Sequence, residues 1–446
     1  MTDVIRSMPA SLSDDSETTV GNYFVSNYPP YSFWAPENVD EAFGALERST
    51  TPDTSLGVYL HIPFCRKRCH FCYFRVYIDK NSGEIQRYID AAIEELAIYA
   101  DKPFVADRNP RFVYFGGGTP SYLSVRQLTR LTDAMKQLLS WDAVEEVTFE
   151  CEPGTLTEPK LHFLKEMGVT RLSLGVEHLD ESILRLNGRA HGLKEIDRTY
   201  EWAKGIDFPQ VNIDLIAGMM GDTDEKWQGA IEKTLAMSPD SVTIYQMEIP
   251  YNTTIYAEMK AREDIVAPVA NWGRKRGWVK SAFEQLEGVG YTVTSAYTAV
   301  KDPGNTKFVY RDQLWTGADL IGLGVASFSH IGGTHYQNEH DWDPYIGPLA
   351  KGQLPINRAL TLTPEERMIR EMILQWKLGR VYPDYFLDKF GVDIRERFSD
   401  ELAVIGELGY LVNDGDDLRL TRDGLLQVDR LLHTFFLPEH RDARYT

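Results

Sequence analysis

The chain has 446 residues, 43% of them hydrophobic and 25% charged, with a formal net charge of −19. This balance suits a large globular body of two or three domains, or one barrel with appendages. It offers no apolar run near the ~18 residues that a membrane span needs, and the polar, acidic start MTDVIRSMPASLSDD predicts no secretory leader. A globally acidic surface argues against nucleic-acid binding, which rests on cationic patches, and four cysteines in so long a chain predict a reducing, cytoplasmic setting rather than a disulfide framework.

In chain order, residues 1 to about 20 read as disordered, being Ser- and Asp-rich without period. GNYFVSNYPPYSFW (21–34) is too apolar for a linker and too broken for a helix, which predicts an extended arm packed on the body. From Leu56 onward, β-rich runs alternate with amphipathic ones. The predicted strands are LGVYLHI (56–62), RFVYF (111–115), EVTFE (146–150), RLSLGV (171–176), VNIDLIAG (211–218) and VTIYQMEI (242–249). Helical periodicity marks 84–100, 124–141 and 223–237. Such repeats build parallel sheets, and six units suit a partial barrel or an open doubly wound sheet. LIGLGVASFSHIGG (320–333) is Gly-rich and is expected to cap one barrel end. A helix is expected over 361–379, with Thr363 as N-cap and Glu366 completing a capping box. The last stretch reads as helix, hairpin turning at Asn413-Asp414-Gly415, and helix, a small winged-helix-like module. The expected domains are therefore 1–55 (disordered segment and arm), 56–300 (barrel), 301–360 (capping and connecting region) and 361–446 (C-terminal helical domain).

HIPFCRKRCHFCYF (61–74) crowds three of the four cysteines into the spacing Cys65-x3-Cys69-x2-Cys72. Thiolates on a tight loop are soft ligands for zinc or iron–sulfur centres. Structural zinc needs four closed ligands, so His61 or His70 would have to complete such a site. A 4Fe-4S cluster held by three thiolates instead leaves one iron open to a small molecule. The fourth cysteine, Cys151, lies far along the chain. Downstream, FGGGTP (115–120) ends the second strand with glycines that let a backbone approach a ligand. FECEPGTL places Glu150 at the end of the third strand, where a carboxylate at a barrel mouth can accept ribose hydroxyls. Asp214 sits inside an apolar strand and needs a partner or a ligand.

The cysteine triad directly after a first barrel strand resembles the radical S-adenosylmethionine (SAM) enzymes. Together, YLHIPFC, FGGGTP, FECEPGT, RLSLGV, NGRAH and NIDLIAG resemble the oxygen-independent coproporphyrinogen III oxidases and their relatives, the radical SAM haem chaperones and class C radical SAM methyltransferases. The resemblance runs from about Leu56 to about Tyr251, and weakly through the C-terminal region; YFVSNYPPYSFW is similar to the oxidases' N-terminal arm. It implies an α/β fold, a partial (β/α)6 TIM-like barrel with an N-terminal arm and a small, mostly helical C-terminal domain. It implies a 4Fe-4S cluster on Cys65, Cys69 and Cys72 that generates the radical, with Tyr59, Gly117 and Glu150 touching the SAM bound to it. Phe71, Gly118, Thr119, Arg189 and Asp214 match positions that line a second SAM site, so one or two SAM molecules are expected.

The chain departs from the oxidases at particular positions. Phe74 stands where they carry a further cysteine, Glu177 where they carry glutamine, and Glu248 where they carry a small residue. GMMGDT replaces GLPGQT after the fifth strand. Glu177 and Glu248 would add charge beside the second site. Oxidative decarboxylation of a porphyrinogen would need basic anchors for four carboxylates, for which Arg66, Lys67, Arg68 and Arg75 are available. The alternatives are methyl or methylene transfer to an unsaturated or aromatic small molecule, and a non-enzymatic haem carrier with His178, His191 or His330 as ligand. Either enzymatic reading requires a low-potential electron donor such as flavodoxin or ferredoxin, and no nucleic-acid or membrane partner is expected.

Overall fold

The computed structural model describes residues 23–50, 54–262, 269–414 and 416–441; the segment expected to be disordered lies outside them, as does Gly415 of the hairpin turn. Six strand–helix units follow one another: β1 (Leu56–Ile62), α1 (Ser82–Ala100), β2 (Pro110–Gly117), α2 (Val125–Leu138), β3 (Glu146–Cys151), α3 (Glu158–Met167), β4 (Arg171–Glu177), α4 (Leu193–Ile206), β5 (Gln210–Ala217), α5 (Asp224–Met237), β6 (Ser241–Gln246) and α6 (Trp272–Gly288). Local sequence sets the helix starts. Asn81 with Glu84 and Ser124 with Gln127 form capping boxes, and the Thr157, Thr223 and Asn271 side chains each accept a backbone N–H of the first turn.

β1 to β6 are parallel and pair in sequence order. Register decides which side chains share a face: Tyr59 lies opposite Tyr114, Glu150 opposite Ser173, and Gly175 opposite Asp214. Alternate residues such as Val58, Leu60, Val113, Phe149, Leu174 and Ile213 face the helices and form the main core. The other parity, Tyr59, Tyr114, Glu150, Ser173, Asp214 and Tyr245, faces inward. That inner face is polar and aromatic and walls a chamber, while the apolar core lies on the outer face. Phe308 and Tyr310 plug the lower end, where Glu146 accepts the N–H groups of Val309 and Tyr310 and Arg171 sits 4.0 Å over the Phe308 ring.

Beyond β6, β7 (Thr292–Val293) and β8 (Thr298–Val300) continue the sheet antiparallel. The 301–360 stretch, expected to cap and connect, instead adds four strands: β9 (Asp319–Leu323), parallel to β1, then β10 (Phe328–Ile331), β11 (Thr334–Asn338) and β12 (Ile356–Thr361). Gly322 there serves close strand approach, since a Cβ would fall 2.1 Å from the Phe328 carbonyl oxygen. Among the described residues the sheet has twelve strands.

The C-terminal region has its own core, and its first helix (Pro364–Trp376) begins at the expected Thr363–Glu366 capping box. Helices surround a three-stranded sheet of β13 (Arg380–Val381), β14 (Leu411–Asp414) and β15 (Asp417–Leu420). The arm joins this core through Val25 and Tyr28. The Phe24 N–H donates to Glu248 (2.6 Å), the Val25 N–H to Asp429 (2.9 Å), and Lys377 Nζ to the Val25 carbonyl (2.5 Å). The arm therefore clasps the barrel and the C-terminal region together beside the strand ends.

Candidate active site

The candidate residues collect at the C-terminal ends of the parallel strands, where each strand hands over to a loop. The cysteine loop follows β1. Its course is fixed by backbone bonds, from Cys65 N to Tyr77 O (3.1 Å), His70 N to Asn187 O (3.1 Å) and Cys72 N to Cys69 O (3.2 Å). Cys65, Cys69 and Cys72 are free and partly exposed. Thr119 Oγ1 donates to Cys65 Sγ and Arg189 Nη1 to Cys69 Sγ, each at 3.2 Å. Burial pushes the Cys65 thiol up to about 12 and the Cys72 thiol up to about 11. Thiols so placed stay protonated until a metal displaces the proton.

Among the described residues no three His, Cys, Asp or Glu side chains converge on one metal ion. His61 is engaged at both nitrogens, with the Tyr59 hydroxyl and the Arg75 carbonyl each 3.3 Å away. A zinc site completed by His61 therefore does not fit. An iron–sulfur cluster takes one thiolate per iron at separate corners and needs no common point. Three thiols with donors already aimed at two of the sulfurs fit that group, because such hydrogen bonds tune clusters. Cys151 is not a fourth candidate: it lies on the outward face of β3, buried in the main core.

The glycines of FGGGTP leave room for the loop. Gly117 has φ +107°, and a Cβ there would lie 2.4 Å from His61 Nδ1; on Gly118 it would lie 2.8 Å from the Ile62 carbonyl oxygen and 3.1 Å from Cys65 Sγ. Glu150 accepts from the Tyr114 hydroxyl (2.6 Å) and the Gly117 N–H (3.1 Å), and burial raises it to about 7. Tyr59 stacks on Tyr114 with ring centroids 5.7 Å apart. Glu177 occupies a left-handed position (φ 65°) where β4 shifts register. It faces Arg189 at 3.5 Å, and burial raises it to about 7. Arg189 also donates to the Gly175 carbonyl (2.7 Å). Asp214 accepts from Ser173 (2.8 Å) and Asn212 (2.9 Å). Phe71 is half-buried within the cysteine loop. Glu248, raised to about 8 by burial, is bound to the arm.

Other expectations meet committed partners. Arg66 pairs with Glu152, Arg68 donates to the Cys72 and Asn252 carbonyls, and Arg75 pairs with Asp341; Lys67 is exposed. Of the histidines offered for haem, His178 is held by Asp222 (3.2 Å), His191 by Glu152 (3.0 Å) and His330 by His335 (2.9 Å), all buried. Sequence reasoning missed Tyr114 and Tyr245. Their signal was parity: Tyr114 lies two residues before Gly116, and Tyr245 two after Thr243. Tyr245, Tyr73 and Phe74 are 41–44% exposed. Tyr73 and Phe74 stack with centroids 4.6 Å apart.

Residues 59–234 match the family model of the radical SAM superfamily. The chain is 28% identical to the Bacillus subtilis heme chaperone HemW over 379 residues, covering 84% of this chain and 98% of that one. It is 26% identical to the Pseudomonas aeruginosa oxygen-independent coproporphyrinogen III oxidase over 424 residues, 90% of each chain. The solved coproporphyrinogen III oxidase of Escherichia coli superposes with a TM-score of 0.80 at 24% identity, over 92% of this chain and 96% of that one, and so shares the fold. No described helix is long and apolar enough to cross a membrane. Residues 59–234 therefore carry a radical SAM superfamily domain, in a chain that is similar over most of its length to heme chaperones and oxygen-independent coproporphyrinogen III oxidases.

Proposed function

We propose that this chain is an enzyme that cleaves SAM reductively and uses the resulting radical to abstract hydrogen from a propionate side chain of a porphyrinogen held in the barrel chamber, in the manner of the oxygen-independent coproporphyrinogen III oxidases. The observation that carries it is the loop of three thiols, two already hydrogen-bonded at sulfur, set at the mouth of a polar chamber. Cys65, Cys69 and Cys72 would hold a 4Fe-4S cluster, and the chemistry supplied there is one-electron cleavage of the sulfonium to a 5′-deoxyadenosyl radical. The bare backbone of Gly117 and Gly118 gives the methionine end of SAM a close seat. Glu150, fixed by Tyr114, accepts ribose hydroxyls, and Tyr59 closes the wall beside it. Arg189 pairs with carboxylate, and Asp214 and Glu177, raised by burial, hold or release a proton at their carboxyl oxygens. The arm and the C-terminal region limit water entry. The electron donor would be a flavodoxin or ferredoxin, and the setting the reducing cytoplasm.

A second reading, methyl or methylene transfer to a ring without several carboxylates, is favoured by the charges. Three of the four loop cations offered as porphyrinogen anchors already serve protein acceptors, which leaves Lys67 alone among them for substrate carboxylates. The haem-carrier reading is weakened by the committed histidines. The test is anaerobic reconstitution with iron and sulfide, then SAM and a low-potential reductant, with and without coproporphyrinogen III. 5′-Deoxyadenosine that rises with the porphyrinogen supports oxidation. 5′-Deoxyadenosine together with S-adenosylhomocysteine, indifferent to porphyrinogen, supports transfer. Absence of both products from iron-loaded protein refutes the enzyme reading.

A further inference from the structure

Arg66 directly follows Cys65, and its guanidinium leaves the cysteine loop for a slot beneath the turn that ends β3. There it makes a two-pronged bond to Glu152, Nε to Oε2 at 3.1 Å and Nη2 to Oε1 at 2.7 Å, and Nη2 also donates to the Ala190 carbonyl at 2.8 Å. Glu152 is 9% exposed and in turn accepts from His191 Nδ1 (3.0 Å) and the Gly154 N–H (3.2 Å). The slot exists because residue 154 has no side chain: a Cβ on Gly154 would lie 2.0 Å from Arg66 Nη2. The segment 187–191 supports the same loop twice more, through the Asn187 carbonyl to His70 N and through Arg189 to Cys69 Sγ. Cys65 and Cys69 are thus both referred to one short piece of chain. Glu152 closes the joint on the Cys65 side with a fork that only a guanidinium fits.

We infer that Glu152 is a positioning residue for the candidate cluster: by gripping Arg66 it fixes where the Cys65 sulfur stands relative to Cys69. Every partner in the grip is a protein group, and Arg66 is thereby committed away from substrate binding. The inference rests on Cys65, Cys69 and Cys72 being ligands. Partners of this kind, one step behind a ligand, change metal retention by about 10–100-fold when removed.

The test uses full-length protein, loaded anaerobically with iron and sulfide. Iron release to the ferrous chelator ferrozine is timed, and the reduced protein is examined by electron paramagnetic resonance. Glu152→Gln keeps the shape and loses the ionic fork. Arg66→Lys keeps the charge and loses the second prong. Gly154→Ala keeps both the Arg66 and Glu152 side chains in the sequence and crowds the grip itself, its Cβ falling 2.0 Å from Arg66 Nη2 and 2.8 Å from Glu152 Oε1, both ends of movable side chains and neither of them backbone. Each should release iron about 10–100-fold faster than the parent and show a changed resonance. Glu145→Gln, which removes the exposed Arg111–Glu145 pair, should change neither. Gly154→Ala and Glu152→Gln matching the parent in both measurements would overturn the inference and leave the ligand assignment standing. A parent that takes up no iron would overturn both.

Discussion

Glu248 carries a prediction whose size follows from its surroundings. Burial raises its carboxyl from 4.5 to about 8, against the pull of the Phe24 N–H that it accepts at 2.6 Å. At neutral pH the folded chain therefore holds a proton on Glu248 that the unfolded chain has released. The folded state binds more protons between about pH 4.5 and 8, so stability falls as pH rises through that window. The full shift corresponds to about 5 kcal/mol as an upper bound, and to about 2–3 kcal/mol once screening at a partly exposed site is allowed for. Glu248→Gln keeps an oxygen for the Phe24 N–H and removes the titration. Urea unfolding of parent and variant, followed by tryptophan fluorescence at pH 4, 7 and 9, should give nearly equal stabilities at pH 4. The variant should lead by about 2–3 kcal/mol at pH 9. A gap that stays constant with pH, or a parent that gains on the variant as pH rises, would refute the reasoning.

Three further outcomes are expected. Cys151→Ala should take up as much iron as the parent and lose about 1 kcal/mol of stability in the same urea assay, because Cys151 packs in the outer core. Gly118→Ala should lower iron and sulfide per chain and cost about 1–3 kcal/mol, since its Cβ would meet the backbone carbonyl of Ile62 as well as Cys65 Sγ. Tyr114→Phe should leave iron content unchanged and weaken SAM binding about tenfold by calorimetry on loaded protein, since it frees Glu150 from its 2.6 Å hydrogen bond.

The six barrel strands were legible because each alternates an apolar outward face with a polar inward one, and β1 matches its expected bounds. The same alternation carried more than was taken from it: it already placed Tyr114 and Tyr245 inside and Cys151 outside. The fate of 301–360 was not legible. A Gly-rich run reads as a turn, and only its pairing with β1, more than 260 positions earlier, makes it a strand. The cysteine triad was visible as spacing, whereas the Arg66–Glu152 fork joins residues 86 positions apart and leaves no local trace. Glu248 was noticed as an extra acid beside a cofactor site. Its partner is a main-chain group of the arm, 224 positions away, which no side-chain pattern announces.

The clasp between Val25 and Asp429 joins residues 404 positions apart. A ribosome adding about 5–20 residues per second takes roughly 20–80 s to make that stretch. During synthesis the arm therefore waits without its partner while the cysteine loop has already emerged. If the thiols hold the proposed cluster, iron would have its widest access in that interval. A chain cut short before Asp429 would keep its thiols, its barrel strands and the arm's bonds to Glu248 and Lys377, but would lose the last point of the clasp.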